Sequence, residues 1–202
     1  MANSTSRIDA VIADLDALNA TDPRLETDCD RQRPRELVYA ERMTACLARV
    51  YPDASENLGI AARAQHVCRW QILRSGFPLG RDGYNAWRVA CREHHSTLAV
   101  RIMQRHGYGS GDIQQVAKII KKEDLKRDGE SQALENVAAV VFVQFYMSAF
   151  ATDHPDYDEE KLAGIVRKTL RKMDALGHAA VLALPLTPHA QRIVDLAMTG
   201  RS

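Results

Sequence analysis

The chain is predicted to be all-α, and three observations carry that expectation. Apolar residues recur at helical spacing along almost the whole length, few alternating β-branched runs compete with them, and caps or breakers fall between the apolar stretches. At 202 residues, 46% of them hydrophobic and 26% charged, the chain can close a sizeable core, so one compact domain over 1–202 is the default.

Taken in order, Ile8, Val11, Ile12, Leu15 and Leu18 predict an amphipathic helix over 5–19 behind Ser4 or Ser6 as its cap. "DPRLETDCDRQRP" follows as a polar loop. Pro34 starts a second helix that runs to about Tyr51, where "YPDAS" breaks it. The third helix carries "AARAQHVCRW" and continues to Leu73, with "SGFPLGRDG" as the next loop. A long helix spans about Tyr84 to Arg105, ends at Gly107 in "HGYGSGD", and gives way to a short basic helix over 112–122. That glycine-rich turn matches no phosphate-loop pattern. "ALENVAAVVFVQFYMSAFA" is apolar nearly all round, but Glu135, Asn136, Gln144 and Ser148 interrupt it, which favours a buried core helix over a membrane span. An exposed amphipathic helix and a short one capped near Thr187 complete a flanking segment over 157–199.

The net charge of +1 gives no global bias toward nucleic acid or a membrane surface, so an anionic partner would need a local patch. Four widely spaced cysteines form no paired zinc motif and read as reduced thiols. With no apolar leader at the start, a cytoplasmic protein is expected, with homo-oligomerisation left open.

Helical phase then singles out polar residues that share apolar stripes. Glu41 is expected to face inward with Leu37, Thr44 and Ala48. His66 and Arg69 are placed on one face with Ala62 and Leu73, and Arg88 and His95 on another with Tyr84, Cys91, Leu98 and Ile102. His94 adjoins His95, and a one-residue change of phase would exchange them. Glu135 shares a side with Ala138, Ala139 and Phe142. Buried carboxylates need partners. One arrangement pairs Glu41 and Glu135 with Arg63, Arg69 or Arg88 in a structural network. The other brings His66, His95, Glu41 and Glu135 together on a divalent metal, with iron, manganese or zinc suited to that donor set.

The chain also carries two family resemblances. "ELVYAERMTACLARVYPDASENLGIAARAQHVCRWQILRSGFPLGRDGYNAWR", with "KKEDLKRDGESQALENVAAVVF" and "KLAGIVRKTLRKM", resembles the domain-of-unknown-function family 4202 over about residues 6–198. "YAERMTACLARV" and "LGIAARAQHVCRW" more loosely resemble helices of the HD superfamily of metal-dependent hydrolases. That resemblance implies an HD-like helical core over about 34–151. Tyr39 stands where the superfamily has its opening histidine, and His66 is followed by Val67 rather than aspartate. Only His66 and, on the late helix, Glu135 carry over.

The leading expectation is a metal-dependent hydrolase of a phosphorylated small molecule of the nucleotide kind. Glu135 or Glu41 would be the general base, and Arg63, Arg69, Arg88 and Lys122 would hold the anionic substrate. The alternatives are an iron-dependent oxygenase or oxidase using the same ligands, and a non-catalytic helical binding protein with a buried polar network.

Overall fold

The computed structural model describes residues 6–200, and among them helices dominate, as predicted; the one sheet is a short two-stranded hairpin. The chain divides into two compact units, 1–124 and 125–202. Ser4, one of the two predicted caps, lies outside the described residues.

The first unit opens with α1 (Arg7–Asn19). Ser6 caps it in a reciprocal box with Asp9, and Val11 and Leu15 are buried on its inner face. The predicted polar loop is instead a hairpin, β1 (Leu25–Asp28) and β2 (Arg31–Pro34), antiparallel with Asp28 opposite Arg31. Cys29 and Asp30 both take positive φ in its two-residue turn, as the right-handed twist of a tight hairpin demands. The strands lack an alternating apolar pattern and are held by charge: Arg33 bonds Asp28, and Arg42 reaches both Glu26 and Asp28.

The hairpin leads into α2 (Arg35–Val50), followed by α3 (Glu56–Ala64) behind the cap Ser55. Ile60, Ala61, Ala62 and Ala64 are fully buried, and these small side chains let α3 pack directly against its neighbours. Two short 3₁₀ turns, Arg69–Gln71 and Arg74–Gly76, precede α4 (Gly80–Arg105), which begins a turn earlier than predicted. After Gly107, at φ 72°, α5 (Ser110–Lys121) closes the unit. α3 contacts α1, α2, α4 and α5, so the segment leaving its C-terminus starts from the middle of the unit.

A Cβ on Gly83 would overlap the carbonyl of Pro78. Gly83→Ala is therefore expected to destabilise the protein by about 1–3 kcal/mol, outweighing the roughly 1 kcal/mol gained from helix propensity. Urea unfolding checks this, and a net gain in stability would contradict it.

In the second unit α6 (Gly129–Val141) continues through a π-helical stretch, Phe142–Tyr146, into α7 (Met147–Asp153). By length and composition Gly129–Asp153 could cross a membrane, yet 56% of its most apolar window is buried inside the protein, as expected of a core helix. α8 (Glu159–Leu170) packs on α10 (Pro188–Thr199), which Thr187 caps as predicted. α8 does not run on through "RKMDALG", because Asp174 caps a new helix, α9 (Ala175–Leu182). α9 lies on α6, where Gly177 admits Asn136: a Cβ there would stand 2.6 Å from the Asn136 side chain.

Candidate active site in the first unit

The helix expected to carry His66 onward to Leu73 ends at Ala64. Cys68 adopts the left-handed conformation at φ 54°, which terminates the run, and Leu73 is exposed. Three side chains hold this turn in place. Asn19 accepts the Cys68 N–H at 3.1 Å, His95 Nδ1 donates to the Val67 carbonyl at 2.8 Å, and His94 bonds the Cys68 backbone. The turn is thereby over-determined, and it sets the direction of His66 and Arg69.

The His66 ring stacks on Tyr39, with centres 4.0 Å apart and planes within 11°. Its Nδ1 is 3.3 Å from Glu36 Oε2, and its Nε2 is 2.9 Å from Arg69 Nη1. A guanidinium can only donate, so Nε2 must accept, and the ring proton sits on Nδ1 facing the carboxylate. His66 is thus a neutral imidazole of defined tautomer. Burial holds its pKa well below 6.5, reinforced by the charges of Arg69, Lys122, Arg88 and Arg24.

Glu36 is in the first turn of α2, one turn before Tyr39, and is buried. Arg24 Nη2 donates to its Oε1 at 2.7 Å. Burial raises its pKa, against the opposing pull of Arg24. Behind this pair, the wholly buried Asp22 carboxylate accepts from Arg24 Nε at 3.0 Å, Arg24 Nη2 at 2.9 Å, the Arg24 N–H at 3.0 Å and the Glu36 N–H at 3.1 Å. Asp22, Arg24, Glu36 and His66 thus form one chain of charge-assisted contacts.

His95 is 1% exposed, and its ring centre is 5.9 Å from that of His66. Because Nδ1 donates to Val67, Nε2 is an acceptor, and it is buried without a hydrogen-bond partner. This resolves the phase of α4: His95 is the buried histidine, while His94 is only partly covered. Burial, with His66 adding to it, keeps His95 neutral and its pKa well below 6.5. An imidazole fixed through Nδ1–H with a bare Nε2 has the arrangement that readies histidine to take a metal or a ligand proton.

Two guanidiniums near this cluster have few commitments. Arg69 Cζ lies 4.6 Å from the centre of the Trp87 ring, and Trp87 is itself anchored by donating to the Ile72 carbonyl at 2.8 Å. Arg88 is partly buried, with Tyr84 5.9 Å away. Lys122 caps α5 in the left-handed conformation and contributes to the positive field at His66.

The other expected site residues are placed differently. Glu41 does not face inward: its carboxylate is held by both terminal nitrogens of Arg33, at 2.7 and 2.8 Å, and its side chain is 38% exposed. The inner face of α2 is Glu36, Tyr39, Ala40, Met43 and Leu47, so the predicted phase was wrong and Glu36 was missed. The stripe Tyr39, Met43, Leu47 extrapolates back to position 36 and was the signal available for finding it. Arg63 is buried in a two-pronged pair with Asp16, both contacts at 2.6 Å, and also reaches Thr44. Glu135 belongs to the second unit, where it is buried 3.8 Å from Lys172 Nζ. Among the described residues, no three His, Cys, Asp or Glu side chains are grouped as a metal ion would require.

Residues 9–194 match the family described as Domain of unknown function (DUF4202). The chain belongs to this family. DUF4202 membership covers nearly all of both units, while the HD-superfamily resemblance is not confirmed by it. No curated protein and no solved structure gave a match. The chemistry of this DUF4202 chain therefore has to be argued from its residues.

Proposed function

We propose that this chain hydrolyses a phosphorylated small molecule of the nucleotide kind in its first unit, with His66 as general base. The observation that carries the reading is the placement of His66 between a buried carboxylate on Nδ1 and a cation on Nε2, in a field set by Arg69, Lys122, Arg88 and Arg24. Glu36 fixes the tautomer and would stabilise the imidazolium formed when Nε2 takes a proton from water. Arg69 and Arg88 are suited to phosphate oxygens, because planar guanidiniums bind them in pairs of hydrogen bonds. The base expected at Glu41 or Glu135 is thus reassigned to His66.

The bare Nε2 of His95 is a single donor, and among the described residues it belongs to no group of three His, Cys, Asp or Glu side chains that could hold the iron, manganese or zinc expected from the sequence, so no step is assigned to a metal.

The test is phosphate release from a panel of phosphomonoesters and nucleotides, with and without added metal. Activity on at least one class is expected, and His66→Gln should lower it by at least about a hundredfold while the helical circular dichroism is unchanged. Absence of phosphate release across the panel, or full activity of the variant, would overturn the reading.

A further inference from the structure

We propose that Arg69 is a displaceable cap on His66: its guanidinium occupies the Nε2 lone pair, and a phosphate group draws it away and uncovers the base. The inference rests on the reading of this site given above, and it adds what switches the site on.

The first ground is what Arg69 does not contact. Most other arginines of this region are consumed by carboxylates, Arg24 by Asp22 and Glu36, Arg33 by Glu41 and Asp28, Arg42 by Glu26 and Asp28, and Arg63 by Asp16, while Arg88 shares the lack of one but does not touch His66 Nε2. No carboxylate among the described residues is paired with Arg69. Its direct contacts are a neutral imidazole nitrogen at 2.9 Å and the face of Trp87, and the Glu36 carboxylate feels its charge without forming an ion pair. Both are weaker partners for a guanidinium than a phosphate, which offers full negative charge and two oxygens.

The second ground is where Arg69 sits. It opens a three-residue 3₁₀ turn directly after the left-handed Cys68, so its backbone is not locked into a long helix. The imidazole it caps is held from three other sides, by Tyr39 stacking, the Glu36 carboxylate and the packed histidine of α4. When the two separate, Arg69 is the partner that moves. The groups facing His66 are Glu36 and Tyr39 from α2, Arg24 before the hairpin, Arg69 itself, His95 and Arg88 from α4, and Lys122 at the end of α5. Of these, Arg69 is the group that meets Nε2, at 2.9 Å.

Trp87 makes the movement observable, because Arg69 lies over its ring and the chain has only two tryptophans. In the Trp70→Phe variant, titration with inorganic phosphate is expected to change Trp87 emission saturably. Arg69→Ala should abolish the change and weaken phosphate binding, read by calorimetry, by about tenfold or more. In the same variant, carbethoxylation of His66 by diethyl pyrocarbonate, followed by mass spectrometry, should be several-fold faster than in the parent. Arg88→Ala should weaken phosphate binding without changing that rate. The proposal is overturned by any of three results: phosphate that binds without altering Trp87 emission, phosphate that fails to bind at millimolar concentration, or a His66 modification rate that is the same with and without Arg69. These readings use phosphate and a chemical probe rather than turnover, so they stand or fall separately from hydrolysis. A protein that shows the cap but releases no phosphate from any substrate would overturn the assigned reaction and leave the cap in place.

Discussion

Replacing Asp22 with alanine is expected to cost about 3 kcal/mol of folding stability, and to lower the proposed hydrolysis as well by loosening Arg24 and Glu36. Its carboxylate is wholly buried and satisfies two backbone N–H groups, those of Arg24 and Glu36, along with the Arg24 side chain. Alanine leaves the Glu36 N–H without an acceptor at the start of α2, at a cost of about 1–3 kcal/mol, and removes the charged partner that orients Arg24. Arg24 is 41% exposed and can turn to water, so the charge contribution is discounted. The loss in the proposed reaction follows because Arg24 holds Glu36, and Glu36 faces His66 Nδ1. Urea unfolding and phosphate release measure the two effects. Asp22→Asn, which keeps an acceptor oxygen, should recover part of the stability. A stability loss below about 1 kcal/mol in Asp22→Ala would show that the chain of contacts from Asp22 to His66 does not hold the site.

The second large effect is acid sensitivity beginning near pH 6.5. His66 and His95 are held neutral in the folded protein, with pKa values well below 6.5, whereas in the unfolded chain they protonate near 6.5. Below that pH the unfolded state binds more protons, so stability is full above 6.5 and is lost as pH falls toward the folded-state values. Each histidine contributes a slope that approaches about 1.4 kcal/mol per pH unit once the unfolded chain is protonated and the folded one is not. Glu36 acts in the opposite sense. Burial raises its folded pKa above the ordinary 4.5, so the folded state takes up its proton first, and this trims the loss toward the acid end. Asp22, whose folded pKa is lowered, adds a further loss only below about 3.8. Unfolding free energies measured from pH 7.5 to 5 test this. His95→Gln, whose amide can still donate to Val67, should remove about half of the slope. Stability that is flat across that range would contradict two histidines held neutral in the folded protein.

How much of the site was legible differs from residue to residue. His66, Arg69, Arg88 and His95 stood out because each interrupts an apolar stripe, and the structure places all four in the first unit around one turn. Glu36 was hidden by phase. A helix whose apolar stripe is short leaves its register open by a residue or two, and Glu41 on the outer face of α2 fitted the same count until packing chose between them. Asp22 and Arg24 lie where sequence offers only a polar run. Their roles depend on a hairpin built from charge pairs rather than from alternating apolar residues.

Periodicity and capping by themselves determined the helical class, the order of most helices and several of their ends, including Gly107 and Thr187, and narrowed the first cap to Ser4 or Ser6, because those features rest on local physics. Tertiary contacts decided where α3 stops. Nothing within "AARAQHVCRW" forbids a continuous helix. Cys68 turns left-handed under the hold of Asn19 from α1 and of His94 and His95 from α4, residues distant in the chain. That non-local choice delivers His66 to Glu36 and Arg69, since the energy that bends the segment comes from hydrogen bonds that exist only once the other helices have packed around it.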